Sequence, residues 1–222
     1  MNPSPVLDQL QLSDLLSQAI SSGIHPEACL AQYLSSVSCV QGLLAEMTQN
    51  QVSAVRQLAA ILLKRGVINH WNQLSAEMQA SLKIALIDRV RSEPEPLVRN
   101  NIVSLAVCVH SYVEPVWEEM LHFIATSLNS PDKEIGLCML SGLLEDSETL
   151  EFFMSLEDPF FEAVSQSLEG QSTRRAQLYA LKALRQYASN FDEKSISQGL
   201  TILIPRLMAI LDEAYRESDE GI

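Results

Sequence analysis

Val55-Arg56-Gln57-Leu58-Ala59-Ala60-Ile61-Leu62-Leu63 and Val98-Arg99-Asn100-Asn101-Ile102-Val103-Ser104-Leu105-Ala106 are two versions of one phrase. Each opens on Val-Arg and then places apolar side chains at spacings of three and four, the period of a helix with one buried face. Val98 follows Val55 by 43 positions, and looser copies of the phrase occupy 133–144 and 174–184. A helical phrase that returns about every forty residues is the length of two antiparallel helices with their turns, and it predicts an all-α solenoid.

The period is that of HEAT or armadillo repeats, and the 222 residues are expected to hold about five to six HEAT repeats in a single array over 1–222. Composition agrees: 47% of the chain is apolar, enough for a substantial core, while only 8 Gly and 9 Pro leave little room for hairpin-rich β architecture. An array of this kind presents a long surface to macromolecules, so function is sought in partners.

Turn and capping residues divide the chain. The first pair is expected at 7–21, ending near Gly23, and after His25-Pro26; the second at 40–47 and 52–65, closed by Gly66. The third runs from Ser75 to Arg91, turns sharply through Ser92-Glu93-Pro94-Glu95-Pro96 and continues over 98–110. The fourth begins near Pro115 and Trp117, ends at Asn129-Ser130 and returns after Pro131-Asp132. The fifth covers 149–168, broken at Asp158-Pro159, and 173–189. A last helix over 195–215 carries an apolar stripe from Ile196 to Leu211 and reads as the first half of a sixth pair. A terminal repeat without its second helix leaves an uncapped apolar face, so the chain is expected to be the N-terminal piece of a longer array.

Several classes of chemistry are missing from the pattern. His25, His70, His110 and His122 form no HxxxH or HExxH set, and Cys29, Cys39, Cys108 and Cys138 form no CxxC pair, so no metal site is expected. Cys108 and Cys138 sit in apolar helical runs and read as small buried hydrophobes with free thiols, which suits a reducing compartment. There is no G-x-S-x-G elbow, no phosphate loop and no GxGxxG, and Glu118-Glu119 point to different faces of a helix. No enzyme and no cofactor are expected. Trp71 and Trp117 lie near junctions between pairs, where packing across repeats is the favoured role and partner anchoring the other.

The longest strongly apolar stretches are far shorter than the roughly 18 to 20 residues needed to cross a bilayer. MNPSPVLDQLQLSD has neither a basic n-region nor an apolar h-region, which points to the cytosol or nucleus. With 28 acidic against 15 basic residues the net charge is −13, a field that repels phosphate backbones and attracts basic ligands. Direct nucleic-acid binding is therefore not expected. The acidic clusters at Glu145-Asp146-Ser147-Glu148, Glu157-Asp158 and Glu217-Ser218-Asp219-Glu220 are either solvated loop tips or holders of basic cargo.

Gln57-Leu58-Ala59-Ala60-Ile61-Leu62-Leu63-Lys64-Arg65, then Trp71-Asn72-Gln73-Leu74, Ser81-Leu82-Lys83 and Val98-Arg99 resemble, in order and spacing, the N-terminal region of the importin-β superfamily of nuclear transport receptors. Val116-Trp117-Glu118-Glu119-Met120-Leu121 is similar to that family's tryptophan-led helix start, with Glu118 in place of the usual proline. Ser130-Pro131-Asp132-Lys133-Glu134-Ile135-Gly136 is similar to its "SPxxxxG" helix, and Tyr179–Leu184 and Ile204–Leu207 continue the likeness, whereas residues 1–39 match poorly. The larger import receptors, which carry ribosomal proteins and histones, look most similar.

The resemblance implies a receptor that shuttles between cytoplasm and nucleus, binds phenylalanine-glycine nucleoporins, wraps basic cargo and engages Ran-GTP through its N-terminal repeats. On the second helix of pair two, Ser53, Gln57, Ile61 and Lys64 form a stripe distinct from the core stripe of Val55, Leu58, Ala59 and Leu62; pair three repeats it at Asn100, Ser104 and Val107. Ser53, Gln57, Lys64, Arg65, Asn100 and Ser104 are the residues expected to meet Ran-GTP, with the Lys64-Arg65 pair carried over by resemblance. The rival reading is a HEAT scaffold subunit of a phosphatase or chromatin-type complex, since fold alone does not fix function.

Overall fold

The apolar stripes do become helices, and no strand occurs among the described residues of the computed structural model, which are 9–22, 27–114, 116–130, 133–144, 157–169, 172–190, 203–205, 207–209 and 212. In chain order they are α1 (Gln9–Ser22), α2 (Glu27–Leu34), α3 (Cys39–Gln49), α4 (Ser53–His70), a 3-10 turn (Trp71–Gln73), α5 (Ala76–Ser92), α6 (Pro96–His110), α7 (Glu118–Leu128), α8 (Lys133–Leu143), α9 (Glu157–Ser167) and α10 (Arg174–Asn190). The expected helix over 195–215 and the sixth pair it would begin lie largely outside the described residues. The chain forms two compact units, Met1–Val116 and Trp117–Ile222.

In the first unit α3 packs on α4 and α5 on α6, while α4 also packs on α6, so the second helices of successive pairs are neighbours. Val55, Ala59 and Leu63 of α4 and Val98, Ile102, Leu105 and Ala106 of α6 are buried. Residues three and four apart share one side of a helix, which is why the repeated phrase gives both helices the same buried edge. Trp71 packs across pairs as expected: its ring lies 6.2 Å from that of Tyr112, and its Nε1–H donates to the Tyr112 carbonyl at 3.0 Å. Ser75 caps α5, its side chain accepting from the Met78 amide at 3.2 Å, and Pro96 sits in the first turn of α6, where a missing N–H costs nothing.

Gly66 does not close α4. The helix runs on to His70 because Gly66 faces α3: a Cβ there would stand 3.1 Å from Cys39 Sγ and 3.5 Å from Val40 Cγ2. The glycine answers a close helix approach, and the helix tolerates it at a cost of about 1 kcal/mol. Asp158-Pro159 likewise begins a helix, since Pro159 lies in the first turn of α9.

In the second unit α7 packs on α8, and α8 and α9 pack on α10. The Phe161 and Tyr187 rings meet edge to face at 5.2 Å, and Phe160 lies 5.7 Å from Tyr187. Gly136 lets α8 meet the end of α7, where an added Cβ would be 2.8 Å from the Leu128 amide nitrogen. Cys39 and Cys138 are buried and Cys108 is only half-buried; all three are free thiols.

Candidate partner-binding face

The geometry of the repeated Val-Arg phrase is set by its arginines. Arg56 and Arg99 are each the fourth residue of their helix, α4 and α6. Buried Arg56 grips the fully buried Glu93 carboxylate with two parallel bonds, Nε to Oε2 at 2.9 Å and Nη2 to Oε1 at 2.7 Å. Its Nη1 donates to the carbonyls of Asn50 and Gln51 at 3.1 and 3.0 Å. Arg89 adds a 2.8 Å bond to Glu93 Oε2, the Glu95 amide donates to Oε1 at 3.1 Å, and Arg99 donates to the Glu93 carbonyl through Nη2 at 2.6 Å and Nε at 3.1 Å.

One residue at the α5–α6 corner therefore joins α4 to α6 through charge-assisted, geometrically specific bonds. Burial pushes the Glu93 carboxyl up, but the bonds from Arg56 and the Glu95 amide and the nearby Arg89 charge outweigh it and hold the group below the usual carboxylate range. The same bond raises Arg56 further above its ordinary value. Both arginines serve the fold. Glu93 escapes a sequence reading because it looks like one more residue of a proline turn; the signal is its place three residues before Pro96, within reach of the preceding repeat.

With α4 and α6 fixed side by side, the solvent-facing strip of α4 follows from 100° per residue. Ser53, Gln57, Ile61 and Lys64 fall on it, as expected, and Ile68, half exposed, extends it. Its edges differ. On the α6 edge Lys64 Nζ donates to Ser104 Oγ at 2.8 Å, bringing two of the six candidate residues into contact across the pairs. Cys108, one turn beyond Ser104, lies in the same field: burial raises its thiol and Lys64 opposes the rise. Asn100 is half-buried one turn before Ser104.

On the other edge α4 borders an open groove of about 690 Å³ against α1 and α2. Its walls are mainly apolar, from Ala19 and Ile20 of α1, Leu30, Ala31 and Leu34 of α2, and Leu58, Ile61 and Leu62 of α4, with Gln57 and exposed Arg65 as its polar rim. Leu58, expected in the core, instead lines this groove half-buried. The six candidates thus do not make one uniform polar strip. Lys64 and Ser104 mark a polar seam, Gln57 and Arg65 rim an apolar groove, and Ser53, the half-buried first residue of α4, starts the strip. Nothing in the sequence pattern of 1–39 announced the groove, because its far wall comes from α1 and α2.

Comparison with known proteins places the region. Residues 27–106 match the family model for the importin-β N-terminal domain. Mouse importin-4 is 26% identical over 173 residues, which is 76% of this chain. The probable importin-5 homolog of Dictyostelium discoideum is 25% identical over 67% of the chain, and the probable importin subunit beta-4 of Schizosaccharomyces pombe 26% identical over 66%.

The chain is similar to members of the importin-β superfamily.

It spans about 15% of the length of each of these relatives. The importin-β N-terminal match starts at the first residue of α2 and ends within α6, so it encloses the Arg56–Glu93 clamp, the α4 strip and all six candidate residues. Among the described residues no group of His, Cys, Asp and Glu could hold a metal ion.

Proposed function

We propose that this chain is the N-terminal region of a nuclear transport receptor and that the α4–α6 strip is where Ran-GTP docks. The observation that carries the proposal is positional: the importin-β N-terminal match encloses a solvent-facing strip whose only adjacent basic pair, Lys64-Arg65, sits between a polar seam and an apolar groove. Partners that use such a face gain orientation and association rate from the charges and residence time from the apolar contact.

The receptor carries basic protein cargo, drawn to a chain of net charge −13, and passes between cytoplasm and nucleus on phenylalanine-glycine nucleoporins. No helix of the described residues is long and apolar enough to cross a membrane. The same negative field disfavours direct contact with nucleic acid. A pull-down of the 222-residue chain on immobilised Ran loaded with GTP or GDP tests the proposal. Retention on the GTP form alone supports it, and equal retention on both forms, as a scaffold of another class would give, contradicts it.

A further inference from the structure

The chain is strongly acidic, yet α10 is not. Its 17 residues, RRAQLYALKALRQYASN, include Arg174, Arg175, Lys182 and Arg185 and no carboxylate. Helical spacing puts Arg174, Lys182 and Arg185 on one side together with Leu178 and Leu181, since 174, 178, 181, 182 and 185 follow the i, i+3, i+4, i+7 rule, and Arg175 stands at the edge of that side. That side faces solvent: Leu178 is 49% and Leu181 37% exposed, and all four basic residues are exposed. The opposite side, with Tyr179, Ala183 and Tyr187, is buried against α8 and α9.

The helix is held independently of this face. Thr173 Oγ1 caps it by accepting from the Ala176 amide at 3.1 Å, and the Phe160–Phe161–Tyr187 cluster locks its far side. Arg175 is engaged at its edge, 3.4 Å from Glu134 of α8, and the Lys182 ammonium stands 5.7 Å from the Tyr179 ring centre. Neither contact covers the leucines.

We propose that this face of α10 docks a short acidic, amphipathic polypeptide segment, whose apolar side chains cover Leu178 and Leu181 while its carboxylates pair with Lys182 and Arg185. The sign of the partner follows from charge: α10 is a local positive surface on a chain of net charge −13. Its class follows from the leucines and from range. Exposed charges act over about 8 Å at physiological ionic strength, so a short acidic segment meets mainly the local cations. A nucleic acid extends beyond them into the negative field and gains nothing from two aliphatic side chains in the middle of the site. An apolar ridge flanked by charge is instead what an amphipathic helix recognises.

The test is fluorescence anisotropy with the intact 222-residue chain and a labelled synthetic helix of about four turns, glutamate on one face and leucine on the other. Comparators are the same peptide with serine for leucine, and a single-stranded DNA of similar length. Saturable binding that falls about tenfold or more both with the serine peptide and with Lys182→Glu/Arg185→Glu, and severalfold with Leu178→Ser, is expected. Far-UV dichroism checks folding, and Lys182→Gln/Arg185→Gln substitutes if the charge reversal unfolds the helix. Absence of saturable binding, indifference to these variants, or tighter binding of the DNA would overturn the proposal.

Discussion

Replacing Arg56 with alanine should cost far more than a surface substitution, and the contacts indicate how much. The change deletes four hydrogen bonds, two to the Glu93 carboxylate and two to the carbonyls of Asn50 and Gln51. It also leaves a fully buried carboxylate without its bidentate partner. Breaking a buried pair by removing one member costs about 3–5 kcal/mol. Here Arg89 and the Glu95 amide still contact Glu93, so the low end, about 3 kcal/mol, is expected. For a cooperative unit of the size of Met1–Val116 this lowers Tm by roughly 10–15 °C. Urea unfolding followed by Trp71 fluorescence in a Trp117→Phe background reports on that unit, because the two tryptophans lie in different units. Arg56→Lys should recover less than half of the loss, since an ammonium cannot reproduce the planar fork.

The pH dependence has a definite sign. Glu93 is held below its ordinary value in the folded chain, so its contribution is present above the unfolded carboxylate pKa of about 4.3 and is lost as pH falls through the lower folded value. Wild type and Arg56→Ala should therefore converge in stability on acidification below about pH 4. A Tm change below about 3 °C at neutral pH, or a difference that widens in acid, would show that the clamp does not hold the two pairs together.

Gly136→Ala should destabilise the second unit by about 1–3 kcal/mol, despite the better helix propensity of alanine, because the new Cβ would meet the Leu128 backbone nitrogen at 2.8 Å; thermal unfolding that is unchanged or improved would mean α7 and α8 can separate freely. Burial pushes the Cys39 thiol up to about 11, leaving on the order of 0.1% thiolate at pH 8, so timed alkylation read by mass spectrometry should modify half-buried Cys108 well before Cys39. Equal rates would place Cys39 in a far more open site.

Much of the fold was legible because the helical phrase is local. The spacing of Val55, Ala59 and Leu63 states which side of α4 is buried, and Ser75 and Pro96 announce helix starts through capping chemistry that needs no knowledge of the neighbours. Features that depend on a second element were misread. Gly66 looks like a stop until α3 is seen against it, and Pro159 looks like a break until it is seen in a first turn. Glu93 joins residues 37 positions apart, a relation that no helical period encodes. The candidate face divides the same way: the solvent-facing stripe from Ser53 to Lys64 follows from angle alone, and the Lys64–Ser104 bond follows from the repeat length. The groove beside Gln57 and Arg65 required α1 and α2, whose sequence carries little of the repeat pattern.

The most direct test of the α4–α6 face as the partner site is the affinity of Ran-GTP for the 222-residue chain and for its Lys64→Glu/Arg65→Glu variant, measured by calorimetry with helicity and Tm checked for both. A nucleotide-selective complex weakened about tenfold or more in a folded double variant is predicted. Undiminished affinity in that variant would place the site elsewhere, and binding that ignores the nucleotide would contradict the transport-receptor account itself.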